Sequence, residues 1–277
     1  MATVSRRVFI NALCLSSLFG RVEAKRDIPI ALQLFSVREE CQKDLRATLA
    51  AVRDFGYEGV EFAGFYGWTA GEVRKLLDAV SLAPCGSHTP LDQLLGATFD
   101  KTVEFNRAMG NRNLIVPGLP SEYHSPAGWA KAARLFNELS ERLERIGMRL
   151  GYHNHSIEFQ RDGDQLPWDI FFGGTRSEVT MQLDLGNARI AGADPISLLK
   201  RYPGRARSIH VKDYLPGKPD VMLGSSDFDW RALFRICEAT GGTEWYIIEH
   251  ESRDAPALDA AKESLGRFRR LRGQGSR

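Results

Sequence analysis

Residues 30–56 read IALQLFSVREECQKDLRATLAAVRDFG. A short apolar run, IALQLF (30–35), precedes KDLRATLAAVRDFG (43–56), a stretch of helical period closing on a glycine where a helix C-cap is expected. No G-x-G-x-x-G joins the two, so the commonest cofactor signature of a doubly wound open sheet is missing. The fold then depends on how often the strand-helix unit recurs.

It recurs along the whole chain. Further apolar runs are GVEF (59–62), PCGSH (84–88), NLIV (113–116), RLGYHN (149–154), VTMQLD (179–184), RSIHV (207–211) and EWYIIE (244–249), making eight with the first. Between them lie helix candidates at 70–80, 98–110, 125–147 and 229–242, several ending on glycine. After the fifth strand helix signals are poor, and only a short turn at PWDIFF (167–172) is expected. Strands alternating with helices imply a parallel sheet covered on both faces, and eight repeats favour closure. The reading is therefore an α/β chain forming a (β/α)8 TIM barrel as a single domain over residues 28–272.

Composition narrows the function. The chain has 277 residues, 43% of them hydrophobic, with a net charge of +2. No basic run is long enough to track phosphates, so no nucleic-acid partner is expected. At the N-terminus, SRRVFINALCLSSLFGRVEA carries paired Arg6 and Arg7, then an apolar stretch, then Val22 and Ala24 spaced like a cleavage site. Residues 1–24 thus look like a twin-arginine signal peptide, implying periplasmic or exported destination and no stable membrane anchor after cleavage. Removing Cys14 would leave Cys41, Cys85 and Cys237, scattered and without metal or redox spacing.

In such a barrel the active site is built at the C-terminal ends of the strands. Those ends are polar here: Glu61, His88, His153 and His155 with Glu158, Asp184, His210 and Glu249. Carboxylates converging on one mouth would repel one another, and a divalent cation resolves the conflict. The expected ligands are Glu158, Asp184, His210 and Glu249, a mixture of hard oxygens and imidazole that suits Mn, Mg, Co or Zn. Lys212 shares a strand face with His210 and would reach the same mouth, unless it pairs with Asp213 at the surface.

Taken in order, ALQLFSVRE, GVEFAG, SHTPL, IVPG, GYHNHSIEF, MQLDLGNA, IHVKD and YIIEHE resemble the xylose-isomerase-like TIM barrel superfamily of sugar isomerases and epimerases, across residues 28–265. The resemblance implies one divalent metal, most often Mn, held by Glu, Asp, His and Glu from strands five to eight, and carbohydrate or polyol substrates. Asp184, His210 and Glu249 match ligand positions. On strand five, many relatives carry the ligand Glu near the position of His153, leaving Glu158, His153 or His155 for that role. Asn187 stands where some epimerases have a substrate-binding His, and no Arg follows His210 at the spacing those enzymes use.

The expected activity is isomerisation or epimerisation of a keto sugar through a metal-stabilised enediolate, with Glu158 and Glu249 on opposite sides of the sugar. His155 is the candidate acid and Lys212 the candidate neutraliser of the enolate; His88, His153, Glu61 and Asn187 are expected to bind substrate. The same enolate could expel a β-substituent, which makes a polyol dehydratase or 3-keto-glycoside lyase the alternative. A homo-oligomer is allowed, and aromatics at Phe35, Phe65, Tyr66, Trp68, Tyr123 and Trp168 are candidates for stacking on a sugar ring.

Overall fold

The computed structural model describes residues 27–251 and 255–274; the expected signal peptide lies outside the described residues. Its first unit is β1 (Ile30–Gln33) and α1 (Arg38–Phe55). The backbone of α1 breaks at Asp44 (φ −157°, ψ 94°), whose carboxylate accepts from the amide of Ala47 at 2.9 Å. That aspartate re-caps the helix, so the segment expected from Lys43 is the second part of a longer one. Gly56 ends it at φ 101°, with its amide donating to the carbonyl of Arg53.

The following units are β2 (Gly59–Phe62) with α2 (Ala70–Val80), β3 (Ala83–His88) with α3 (Phe99–Ala108), and β4 (Asn113–Val116) with α4 (Pro126–Glu144). Then come β5 (Arg149–His153) with α5 (Pro167–Gly174), and β6 (Thr180–Asp184) with α6 (Leu185–Ile190) and α7 (Pro195–Arg201). After β7 (Ser208–Val211) a hairpin of β8 (Asp213–Leu215) and β9 (Lys218–Val221) precedes α8 (Trp230–Ile236); β10 (Trp245–Ile248) and α9 (Ala257–Gln274) complete the chain. Eight strands close in the order β1-β10-β7-β6-β5-β4-β3-β2, all parallel neighbours, giving the TIM barrel read from the sequence.

The helix after β5 corrects an expectation. PWDIFF is part of α5, started by Pro167 at its first turn. Trp168, Phe171 and Phe172 fall at helical spacing and are buried. Phe171 meets Phe136 of α4 at 4.9 Å and Tyr152 of β5 at 4.8 Å between ring centroids. Such pairs contribute about 0.5–1.5 kcal/mol each beyond their area burial. Packing outweighs a weak local signal here. Trp168 and Tyr123 are core residues, which removes two of the proposed sugar-stacking aromatics, whereas Phe35 at the mouth is 39% exposed.

Side-chain alternation sorts each strand into an inward and an outward set. Tyr152 points out into the helical layer, so Gly151 and His153 point in. Low in the barrel, Trp245 occupies the space over Gly59, where an added Cβ would sit 2.7 Å from the indole. Ala31, Cys85 and Ile247 form a small apolar layer beside it. Above them the interior turns polar: Gln33, Glu61, Gln182, Ser208 and His210 are all buried.

Candidate metal centre

Four side chains from the C-terminal ends of β5, β6, β7 and β10 converge. One ligand atom each from His153, Asp184, His210 and Glu249 can be chosen so that all lie within 4.8 Å of one another, and all four residues are buried. Register explains the convergence, since Asp184 pairs with His210 across β6 and β7 and Ile247 pairs with His210 across β7 and β10. Glu249 lies two residues beyond Ile247 on the same face. A second group, His88, His153 and His210, shares two of these imidazoles.

Asp184 is held by its neighbours. Its amide donates to Asn154 Oδ1 at 2.8 Å, Asn154 Nδ2 donates to its carbonyl at 3.2 Å, and the amide of Asn187 donates to Oδ1 at 2.7 Å as the cap of α6. Oδ2 is buried with no hydrogen-bond partner. Such an orphan costs about 1–3 kcal/mol, and a cation is the group that would satisfy it. With that oxygen, the Glu249 carboxylate and the two imidazoles make a donor set that fits a divalent metal.

His210 carries the local positive charge. Its Nδ1 is 2.6 Å from Glu249 Oε2 and its Nε2 is 2.6 Å from Glu61 Oε2. Burial works against the imidazolium, but Glu61 and Glu249 outweigh it and the group is pushed up to about 10. In return, the imidazoles of His210 and His88 overcome burial and hold the Glu61 carboxyl below its usual range. Burial pushes Asp184 up and, with its neighbouring imidazoles, pushes His153 down. Near neutral pH metal-free His210 is thus protonated at both nitrogens, and a cation taking Nδ1 must displace that proton. Calorimetry in buffers of differing ionisation enthalpy is expected to show about one proton released per metal bound, with affinity weakening as pH falls. No proton release would exclude His210 as a ligand.

Glu158 lies outside the donor group. It is buried, but Oε1 takes the hydroxyl of Tyr152 and Oε2 takes the amide of His155 at 2.8 Å. Because Tyr152 faces the helices, its hydroxyl draws Glu158 away from the barrel axis, and burial raises its carboxyl. His153, expected at the substrate, takes the strand-five position in the ligand group. Glu61, also expected at the substrate, is fully buried and bonds His210 Nε2. Asn187 is occupied by the protein, its Nδ2 donating to the carbonyl of Asn154 at 3.1 Å. His88 stays partly open, with 13% of its side chain exposed and its Nε2 2.9 Å from Gln182 Oε1; His155 lies at the solvent edge.

Lys212 does not pair with Asp213. Its ammonium bonds Glu251, and Asp184, Glu249 and Glu251 together more than offset burial to hold it above its ordinary range. The stem lies flat over Gly186, where a Cβ would come 2.8 Å from Lys212 Cγ. Asp213 instead receives Arg189 at 2.9 Å and the amides of Ser225 and Ser226, anchoring the hairpin to α6. Gln33, Asn154, Gln182 and Ser208 were missed as site residues. Strand parity was the available signal, since Gln182 and Ser208 each stand two residues before a ligand on the inward face.

A closed eight-stranded parallel barrel with a carboxylate and imidazole donor set at its C-terminal mouth defines a (β/α)8 barrel with a candidate cation site. The chain belongs to the xylose isomerase-like TIM barrel family, whose model matches residues 49–271. The inosose dehydratase of Lacticaseibacillus casei is 23% identical over 246 residues, covering 73% of this chain and 80% of that one. A sugar phosphate isomerase/epimerase from Parabacteroides distasonis has a similar fold, with a TM-score of 0.75 at 22% identity over 86% of this chain and 96% of the other. An L-ribulose 3-epimerase superposes with a TM-score of 0.70 at 16% identity, over 89% and 96%.

Proposed function

We infer that the protein is a divalent-metal-dependent sugar isomerase or epimerase acting on a keto sugar or related carbohydrate through an enediolate. The observation that carries this reading is the buried Asp184 Oδ2, without a hydrogen-bond partner, inside the four-residue donor group. His153, Asp184, His210 and Glu249 would hold the cation, and the two imidazoles favour Mn, Co or Zn over Mg. When bound, the cation supplies positive charge that acidifies the C–H beside a chelated carbonyl and stabilises the enediolate. Glu249 removes that proton; in the metal-free site its carboxyl is already held below its usual range because the His210 hydrogen bond and charge overcome burial, and the cation would take over that role when it displaces the His210 Nδ1 proton. The Lys212 ammonium balances the charge developing on oxygen. His155, at the solvent edge, is the group that returns a proton from the other side after taking one up from water; burial lowers its imidazole, so this acid form is favoured as pH falls.

A second reading is favoured by the displacement of Glu158. Two-sided proton transfer between carboxylates is not available, while elimination needs only one base and one acid. The same site would then serve as a polyol dehydratase or 3-keto-glycoside lyase, and a relative described as an inosose dehydratase supports that class. Export on the twin-arginine pattern of residues 1–24 supports either chemistry on unphosphorylated carbohydrate, in the periplasm or beyond. Neither reading needs a nucleic-acid partner, and a homo-oligomer is compatible with both.

The test is NMR of free and 3-oxidised sugars and glycosides incubated in D2O with the Mn-loaded mature protein. Deuterium entering the carbon beside the carbonyl, with the skeleton kept, is the expected result. Release of water or an aglycone would assign the lyase instead, and no exchange with any member of the panel would count against both.

A further inference from the structure

Beneath the donor group lies a set of hydrogen bonds that no step above uses. Glu61 is fully buried and is surrounded by donors. Its Oε2 accepts from Gln33 Nε2 at 2.8 Å and from His210 Nε2 at 2.6 Å, and its Oε1 accepts from Gln182 Nε2 at 2.8 Å. Gln182 Nε2 also donates to Ser208 Oγ at 3.0 Å, so its Oε1 faces the histidines. That oxygen lies 2.9 Å from His88 Nε2 and 3.2 Å from His153 Nδ1. An amide oxygen only accepts, so both imidazole nitrogens must donate to it.

We propose that Glu61 is a positioning residue that sets opposite tautomers on the two imidazole ligands: Nε2–H on His210 directly, and Nδ1–H on His153 through Gln182. His210 then offers Nδ1 to the cation and His153 offers Nε2. This rests on the metal site proposed above. Gly86 supplies the room, because a Cβ there would stand 2.5 Å from Glu61 Oε1. A carboxylate is needed, since both its oxygens meet donors. Glutamine at position 61 turns an NH2 toward one of them. If that NH2 meets Gln182, the Gln182 amide must reverse, and its own NH2 then confronts His153 Nδ1. His153 would have to accept there and carry its proton on Nε2, which removes that nitrogen as a ligand.

The experiment uses the whole mature protein loaded with Zn2+ alone. Long-range 1H–15N spectra of the wild type are expected to show the proton on Nε2 of His210 and on Nδ1 of His153. Competition with a chromophoric chelator is expected to show Glu61→Gln binding Zn2+ on the order of 10–100-fold more weakly. Gly86→Ala should weaken binding in the same direction while keeping the carboxylate, and Glu61→Asp should fall between Glu61→Gln and wild type. Circular dichroism identifies any variant that fails to fold, and Gly86→Ala carries the test if Glu61→Gln does. The opposite proton on either imidazole of the wild type overturns the proposal. So does wild-type affinity in folded Glu61→Gln and Gly86→Ala while Asp184→Asn loses the metal, a result that leaves the site standing. Failure of the wild type to take up Zn2+ overturns the site and this proposal together.

Discussion

Asp184→Asn is expected to abolish stoichiometric metal binding while the barrel stays folded. The substitution keeps the shape and leaves an oxygen to cap α6, where Oδ1 now accepts from the amide of Asn187 at 2.7 Å. What disappears is the anionic Oδ2, which is buried, has no hydrogen-bond partner and meets His210 Nδ1 only at 3.9 Å. Losing one member of a buried charge pair costs about 3–5 kcal/mol, so metal affinity should fall roughly 10²–10⁴-fold. Without metal the effect on stability has the opposite sign. Burial raises the Asp184 carboxyl above its ordinary range, so folding bears a cost for its ionisation as pH rises past that range. Removing the charge relieves that cost, and the metal-free variant should melt no lower than the metal-free wild type near neutral pH. Elemental analysis and paired thermal melts check both halves. Glu158→Gln is the control, because a residue committed to Tyr152 and His155 should leave metal content unchanged. Full metal occupancy in Asp184→Asn would remove the proposed site.

Glu249→Gln should lower turnover by about 10²–10⁴-fold, the usual contribution of a positioned general base. The amide matches the carboxylate in shape, and its oxygen can take the place beside His210 Nδ1 that Oε2 occupies at 2.6 Å in the metal-free site, so the local shape is expected to survive. An amide has no basicity with which to take a carbon-bound proton. In the metal-free site the hydrogen bond and charge of His210 hold the wild-type carboxylate below its usual range against burial, and a cation in the donor group would keep it ionised once His210 Nδ1 has lost its proton. Deuterium exchange into the sugar, measured on the metal-loaded variant, is the readout. Exchange lost together with turnover, with carbohydrate binding retained, places proton removal on Glu249. Exchange persisting at the wild-type rate would move the base elsewhere, with His155 the first candidate.

Strand positions were legible because parallel barrel strands are buried on both faces and read as short apolar runs; β2 and β4 fall on the expected residues. Asp184, His210 and Glu249 stand out in the same way, each being a polar residue at the end of such a run, and the structure brings them into one group. The fifth strand was harder. His153 and Glu158 both offer ligand atoms, and proximity along the chain favoured the carboxylate. The deciding fact was the orientation of Tyr152, which strand alternation supplies only once the strand's register is known. α5 was underestimated because its stability comes from aromatic packing against α4 and β5, a tertiary effect that local propensity does not register. Gln182 and Asn154 escaped notice because uncharged amides at strand ends are common, and what marks these two is the company they keep.

Trp245 over Gly59 closes the floor of the barrel. A vessel sealed at the bottom has one doorway, and whatever sits deepest must enter first. On the proposed function a cation would therefore have to load before the sugar, and a seated sugar would be the stopper that keeps it from being drawn out.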